Sequence, residues 1–199
     1  MGTMIGLGQP VGHTYAEQAA KHGIHVAPSS VEQAFRRSYR RAPPLAFPGL
    51  AGRELQLAEM AWWGDRIRDS LGLCDGESIP QALVTALFQH YAQPSAWRVY
   101  ADVPANLKRW HQRGLALAVV SNFDSRLPRL LDGLGLTPWL KAIVISSTSG
   151  AAKPDPAPFL HALQQLDLEP QHVWHVGDSP EDAAGAKAAG IRHLSVRRP

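Results

Sequence analysis

From residue 115 onward, short apolar runs alternate with helical stripes, and this alternation constrains the fold more than any other feature of the chain. Leu115–Val120 is a continuous apolar run, as expected of a strand buried on both faces. Leu127, Leu130, Leu131 and Leu134 follow at helical spacing and stop at Gly135. Ala142–Ile145 reads as a second strand, Pro158–Leu166 as a helix, and Val173–Val176 as a third strand. Pro180–Ala189 reads as a helix closed by Gly190, and His193–Val196 as a last strand. Strands alternating with helices predict an α/β core in which a parallel, Rossmann-like sheet is wrapped by helices. In such sheets the chemistry sits beyond the carboxyl ends of the strands.

The first half has a different texture. Val11, Tyr15, Ala19 and Ala20 recur at helical spacing, and Ser29 or Ser30 can cap a second helix through Val31, Ala34, Phe35 and Ser38. Glu54–Ile67 and Ile79–Tyr91 read as two more helices, and Val103–Gln112 as a helix stopped by Gly114. Residues 11–95 are therefore expected to form a helical unit beside a core of residues 96–199, with 1–10 belonging to the core. Trp62-Trp63 reads as one core ring and one helix-packing ring.

Composition narrows the class. The chain has 199 residues and 45% hydrophobic residues, enough for one core with an inserted subdomain, which excludes wholesale disorder. No apolar run is long enough for a membrane span, and the N-terminal residues do not resemble a signal peptide. The lone Cys74 cannot form an internal disulfide, so a cytoplasmic protein is expected. The net charge of +3 is mild. Arg36, Arg37, Arg40 and Arg41 read as a solvated helix end, and without a longer basic stripe interleaved with aromatics no nucleic-acid partner is expected. No Gly-x-Gly-x-x-Gly follows a strand, which sets aside a Rossmann-type nucleotide binder. Oligomeric state is not readable from the sequence.

Three strand ends carry polar residues that could act together. After the first come Ser121 and Asn122, a hydroxyl and an amide able to donate to an anionic oxygen, with Asp124 placed to cap the next helix. After the second comes Lys153-Pro154-Asp155, where Pro154 restricts the lysine backbone and Asp155 with Pro156 opens a helix. After the third, Gly177-Asp178-Ser179-Pro180-Glu181-Asp182 places two carboxylates at a strand-to-helix bend. Mg²⁺ favours such a site, with one or two carboxylates plus water and substrate oxygens.

The order Ser121, then Lys153-Pro154, then Asp178 with Asp182 resembles the haloacid dehalogenase-like (HAD) hydrolase superfamily, over the whole chain. Ser121 matches its second motif, Lys153 its third, and Asp178 with Asp182 its fourth. Residues 11–95 look like the helical C1 cap of one subfamily. Val11-Gly12, Tyr15-Ala16, Phe47-Pro48-Gly49-Leu50 and Trp62-Trp63 resemble a little-characterised group, the HAD-like hydrolase domain-containing 3 type.

The resemblance implies Mg²⁺-dependent hydrolysis of a small phosphorylated metabolite through an aspartyl-phosphate. Asp178 and Asp182 would be metal ligands, Lys153 and Ser121 catalytic residues, and Asn122 and Thr3 substrate-binding residues. A metal-binding fourth motif argues against dehalogenation. The spacing from Asp178 to Asp182 is at the short end of the family pattern, and Thr148 stands where relatives often carry Glu. The first family motif, Asp-x-Asp-x-Thr, aligns its Thr with Thr3, which puts its first Asp ahead of Met1 and its second on Met1 itself. The expectation is that the nucleophilic Asp and the first core strand, which lies between the strands ending at Ser121 and Asp178, belong to an upstream segment. Hydrolysis by Met1–Pro199 alone is then expected to be negligible. The alternative is a catalytically inactive HAD-fold protein acting as a binding or interaction module.

Overall fold

The computed structural model describes residues 2–73 and 78–198; the expectations placed on Met1 and Cys74 lie outside them. The C-terminal half has the α/β texture expected. Strand β3 (Ala118–Ser121) pairs in parallel with β4 (Ala142–Ile145), Ser121 opposite Ile145. Strand β5 (Trp174–Gly177) pairs in parallel with β6 (Arg192–Ser195), Gly177 opposite Ser195. Helices α5 (Val103–Gln112), α6 (Leu127–Gly133), the single turn α7 (Ser146–Ser149), α8 (Ala157–Leu166) and α9 (Pro180–Ala188) intervene. Near the N-terminus, β1 (Ile5–Leu7) pairs antiparallel with β2 (Trp97–Val99).

The four helices of the first half are α1 (Val11–Ala20), α2 (Pro28–Arg41), α3 (Gly52–Leu71) and α4 (Gln81–His90). Val11, Tyr15, Ile67, Leu83 and Leu87 bury their side chains among them. A second cluster, with Ile5, Trp97, Leu107, Phe123, Leu130 and Ile145, lies under β1–β4, and a third, with Phe159, Leu163, Ala186 and Ile191, joins α8 to α9. Each such aliphatic side chain removed from water contributes about 1.5–3 kcal/mol. Gly12 sets how closely α1 meets α2, because a Cβ there would overlap the Pro28 carbonyl. Its amide instead donates to Glu32 Oε2 at 2.8 Å.

Local expectations needed correction in three places. Helix α2 begins with Pro28 behind Ala27 and uses no serine side chain as a cap, because proline already suits the first helical position. The strand expected from Leu115 starts at Ala118; Leu115 is 53% exposed, and β3 is half-buried along most of its length. The half-burial of β3 has a visible cause. Among the described residues each of the three sheets has two strands, and β3 and β5 do not pair with each other. A cavity of about 390 Å³ separates them, lined by Ala118–Ser121 on one side and Val173–Val176 on the other. Third, Asp124 does not cap α6 as its N-cap residue; its carboxylate accepts from the Arg126 backbone and guanidinium.

Candidate functional site

The carboxyl ends of β3 and β5 bring the expected side chains together. Thr3, Ser121, Lys153, Asp178 and Asp182 all line the cavity between those strands. Asn122 lines a second cavity, of about 610 Å³, beneath the helices of the first half, and Lys153 and Asp182 line both.

Lys153 is held from three directions. Its ammonium donates to Asp182 Oδ1 at 2.5 Å and to the Val120 carbonyl at 3.1 Å. Its backbone is clamped by Asn122, whose Oδ1 accepts from Lys153 N–H at 2.8 Å while Nδ2 donates to the Lys153 carbonyl at 2.9 Å. Asn122 was expected to reach a substrate oxygen. Its amide is instead used on the lysine main chain, because that reciprocal pair satisfies two half-buried backbone groups at once.

Asp182 sits in the first turn of α9 and is buried. Oδ1 accepts from Lys153 and meets His175 Nε2 at 2.9 Å. Oδ2 accepts from the backbone of Asp178 and Ser179 and from Ser179 Oγ. Ser179 Oγ in turn accepts from Asp182 N–H, which completes a capping box. Gly177 makes room for this arrangement, since a Cβ there would lie 2.5 Å from the Asp182 side chain. Burial alone would push the Asp182 carboxyl up; the His175 hydrogen bond and the Lys153 ammonium outweigh it and hold the group well below the usual carboxylate range.

His175 lies inside the strand expected over 173–176 and was not singled out from the sequence. A polar ring inside an otherwise apolar strand expected to be buried needs a partner, and that was the available signal. The ring also packs edge-on against Phe159, 4.9 Å between centroids.

Asp178 is exposed at the end of β5, and its Oδ1 accepts from Thr3 Oγ1 at 2.6 Å. Thr3 is fixed by Arg198, which donates to its carbonyl and pairs with Asp102 at 2.6 Å. Mg²⁺ asks for hard oxygen ligands, with one or two carboxylates. Asp178 suits that demand, since its exposed carboxylate faces the cavity. Asp182, expected as a second ligand, has both oxygens committed to protein donors. Among the described residues no three His, Cys, Asp or Glu side chains gather as a metal cluster. The donor set fits a cation held through one carboxylate of this chain.

A model of the haloacid dehalogenase-like hydrolase family matches residues 2–190. The chain belongs to that family. The mouse haloacid dehalogenase-like hydrolase domain-containing protein 3 is 39% identical over 98% of this chain and 78% of its own length. A phosphoglycolate phosphatase of Rhodospirillum rubrum is 39% identical over 58% of this chain and 49% of its own. Among solved structures, the L-2-haloacid dehalogenase of Xanthobacter autotrophicus aligns with a TM-score of 0.70 at 19% identity, covering 98% of this chain and 74% of that one. That likeness establishes the HAD fold for this chain.

Proposed function

We propose that this HAD-like hydrolase acts in the cytoplasm on the phosphate ester of a small metabolite, with Mg²⁺ held by Asp178. One observation carries the reading. Ser121, Lys153 and Asp178, delivered by separate elements, line one cavity at the carboxyl ends of parallel strands. The likeness to a phosphoglycolate phosphatase supports a phosphate ester over a carbon–halogen bond.

In this reading the Ser121 hydroxyl donates to a phosphoryl oxygen. The Lys153 ammonium offsets the charge that develops there, in a water-poor site where fixed donors count most. Asn122, Asp182 and His175 position Lys153, and Thr3 positions Asp178. Bound Mg²⁺ would supply positive charge to the phosphoryl oxygens. The acids among the described residues of this cavity are Asp102, Asp178 and Asp182, and all three are otherwise engaged. Asp102 pairs with Arg198, Asp178 would hold the cation, and Asp182 holds Lys153. The attacking carboxylate of an aspartyl-phosphate route is therefore not one of them, and Met1–Pro199 by itself is proposed to turn over esters negligibly. The helices of residues 11–95 act as a cap that closes over the core and excludes water.

Thermal shift tests the site without requiring turnover. Mg²⁺ with inorganic phosphate should raise Tm by mass action, Asp178→Asn should abolish the Mg²⁺ part, and Lys153→Met the phosphate part. No shift with either ion would overturn the reading. A second reading, a phosphate-binding HAD-fold protein without turnover, is favoured by the three committed acids. Ester hydrolysis by the purified chain that Asp178→Asn abolishes would exclude it, and would also overturn the negligible turnover proposed for Met1–Pro199.

A further inference from the structure

The second cavity carries an inference about the substrate, and it rests on the phosphate-site reading above. It holds about 610 Å³ and shares Lys153 and Asp182 with the phosphate cavity. Nine residues around it carry aromatic rings. Tyr39 stacks on Trp63 at 6.4 Å and 28°, and Phe35 stacks on Tyr39 at 5.8 Å and 29°. The Arg126 guanidinium lies 3.7 Å from the Phe88 ring centroid.

Apart from the tyrosine hydroxyls, the indole, guanidinium and amide groups of this wall are engaged with the protein. Trp62 Nε1 donates to the Pro43 carbonyl and Trp63 Nε1 to Asp124 Oδ2. Arg126 gives Nε and Nη2 to the fully buried Asp124 carboxylate and Nη1 to the Phe88 carbonyl, so its charge is paired and each of its nitrogens has a protein acceptor. Asn122 is spent on Lys153. Among the described residues, Arg40 and Glu181, both exposed and of opposite sign, are the remaining charges on the lining besides the Lys153–Asp182 pair. What the wall offers a ligand is flat carbon surface with tyrosine hydroxyls. A cavity of roughly 150 Å³ is enough to hold benzene, so this one admits a ring system together with its phosphate link. We propose that the alcohol portion of the substrate is an aromatic or similarly flat, apolar group stacked between α2, α3 and the loop after β3, with its phosphate against Lys153.

Calorimetric titration of the full chain with phenylphosphonate and with methylphosphonate tests this, because the two probes share a headgroup and differ in the ring. Phenylphosphonate should bind about tenfold more tightly. Trp63→Leu should reduce that advantage by about threefold to tenfold while leaving methylphosphonate unchanged. Tyr39→Ala, at a position 40% exposed and so tolerant of truncation, should act in the same direction if Trp63→Leu fails to fold. Equal affinity of the two probes, with binding of both still lost in Lys153→Met, would overturn the aromatic proposal and leave the phosphate site standing. Binding of neither probe, or binding indifferent to Lys153→Met, would take down the phosphate site and the aromatic proposal together.

Discussion

Lys153 Nζ lies 2.5 Å from Asp182 Oδ1, with the two side chains 9% and 5% exposed. The pair is asymmetric. Asp182 keeps the His175 ring and the 178–179 loop donors if the lysine is lost, whereas Lys153 without the aspartate keeps only the Val120 carbonyl among its described partners. Removing one partner of a buried pair costs about 3–5 kcal/mol. Asp182→Asn should therefore fall in that range, and Lys153→Met should cost clearly less. Urea unfolding of the two variants checks the order.

Burial pushes the Tyr91 phenol up to about 12, with the Thr14 hydroxyl offsetting part of the shift and Glu32 adding to it; burial also raises Tyr15 and Tyr39. A raised folded pKa means stability that is complete below the unfolded value and lost as pH rises through the folded one. For Tyr91 the window runs from pH 10.0 to about 12. Alkaline unfolding followed by circular dichroism should show this loss, and Tyr91→Phe should remove its share. An unchanged profile in Tyr91→Phe would contradict the assignment.

Glu59 on α3 is fully buried, and its carboxylate accepts from Ser125 N–H at 2.9 Å and from Ser125 Oγ at 2.5 Å. With Trp63–Asp124 it ties the first-half helices to the loop after β3. Glu59→Ala leaves a half-buried amide and hydroxyl without their acceptor, at a cost of up to about 1–3 kcal/mol. Thermal melts should show that loss, and Glu59→Gln should recover part of it.

Strands β3 and β5 each pair on one side only among the described residues. Amides that face the cavity between them lack a ladder partner there. Hydrogen exchange should be faster at those amides of Ala118–Ser121 and Trp174–Gly177 than at the amides paired to β4 or β6 on the same strands. Uniform protection along both strands would show that the gap is closed in solution.

The alternation of strands and helices after residue 115 was legible because periodicity is a local property: a helix face or a strand run is written in residues three, four or two apart. The polar residues at strand ends were legible for the same reason, since the sheet rule assigns them to one edge. Strand edges were less so. Leu115 and Ala116 are as apolar as the strand that follows, and only the tertiary arrangement leaves them exposed.

By itself, then, the sequence determined the element types, the parallel α/β core and which residues stand at the carboxyl ends of β3 and β5. The tertiary structure alone decided how those residues divide their work. Asn122 turns to a lysine 31 residues away, Asp182 meets a histidine on the preceding strand, and Trp63 reaches Asp124 across 61 residues. Which donor satisfies which buried acceptor depends on groups brought close by packing, and spacing along the chain carries no record of that choice.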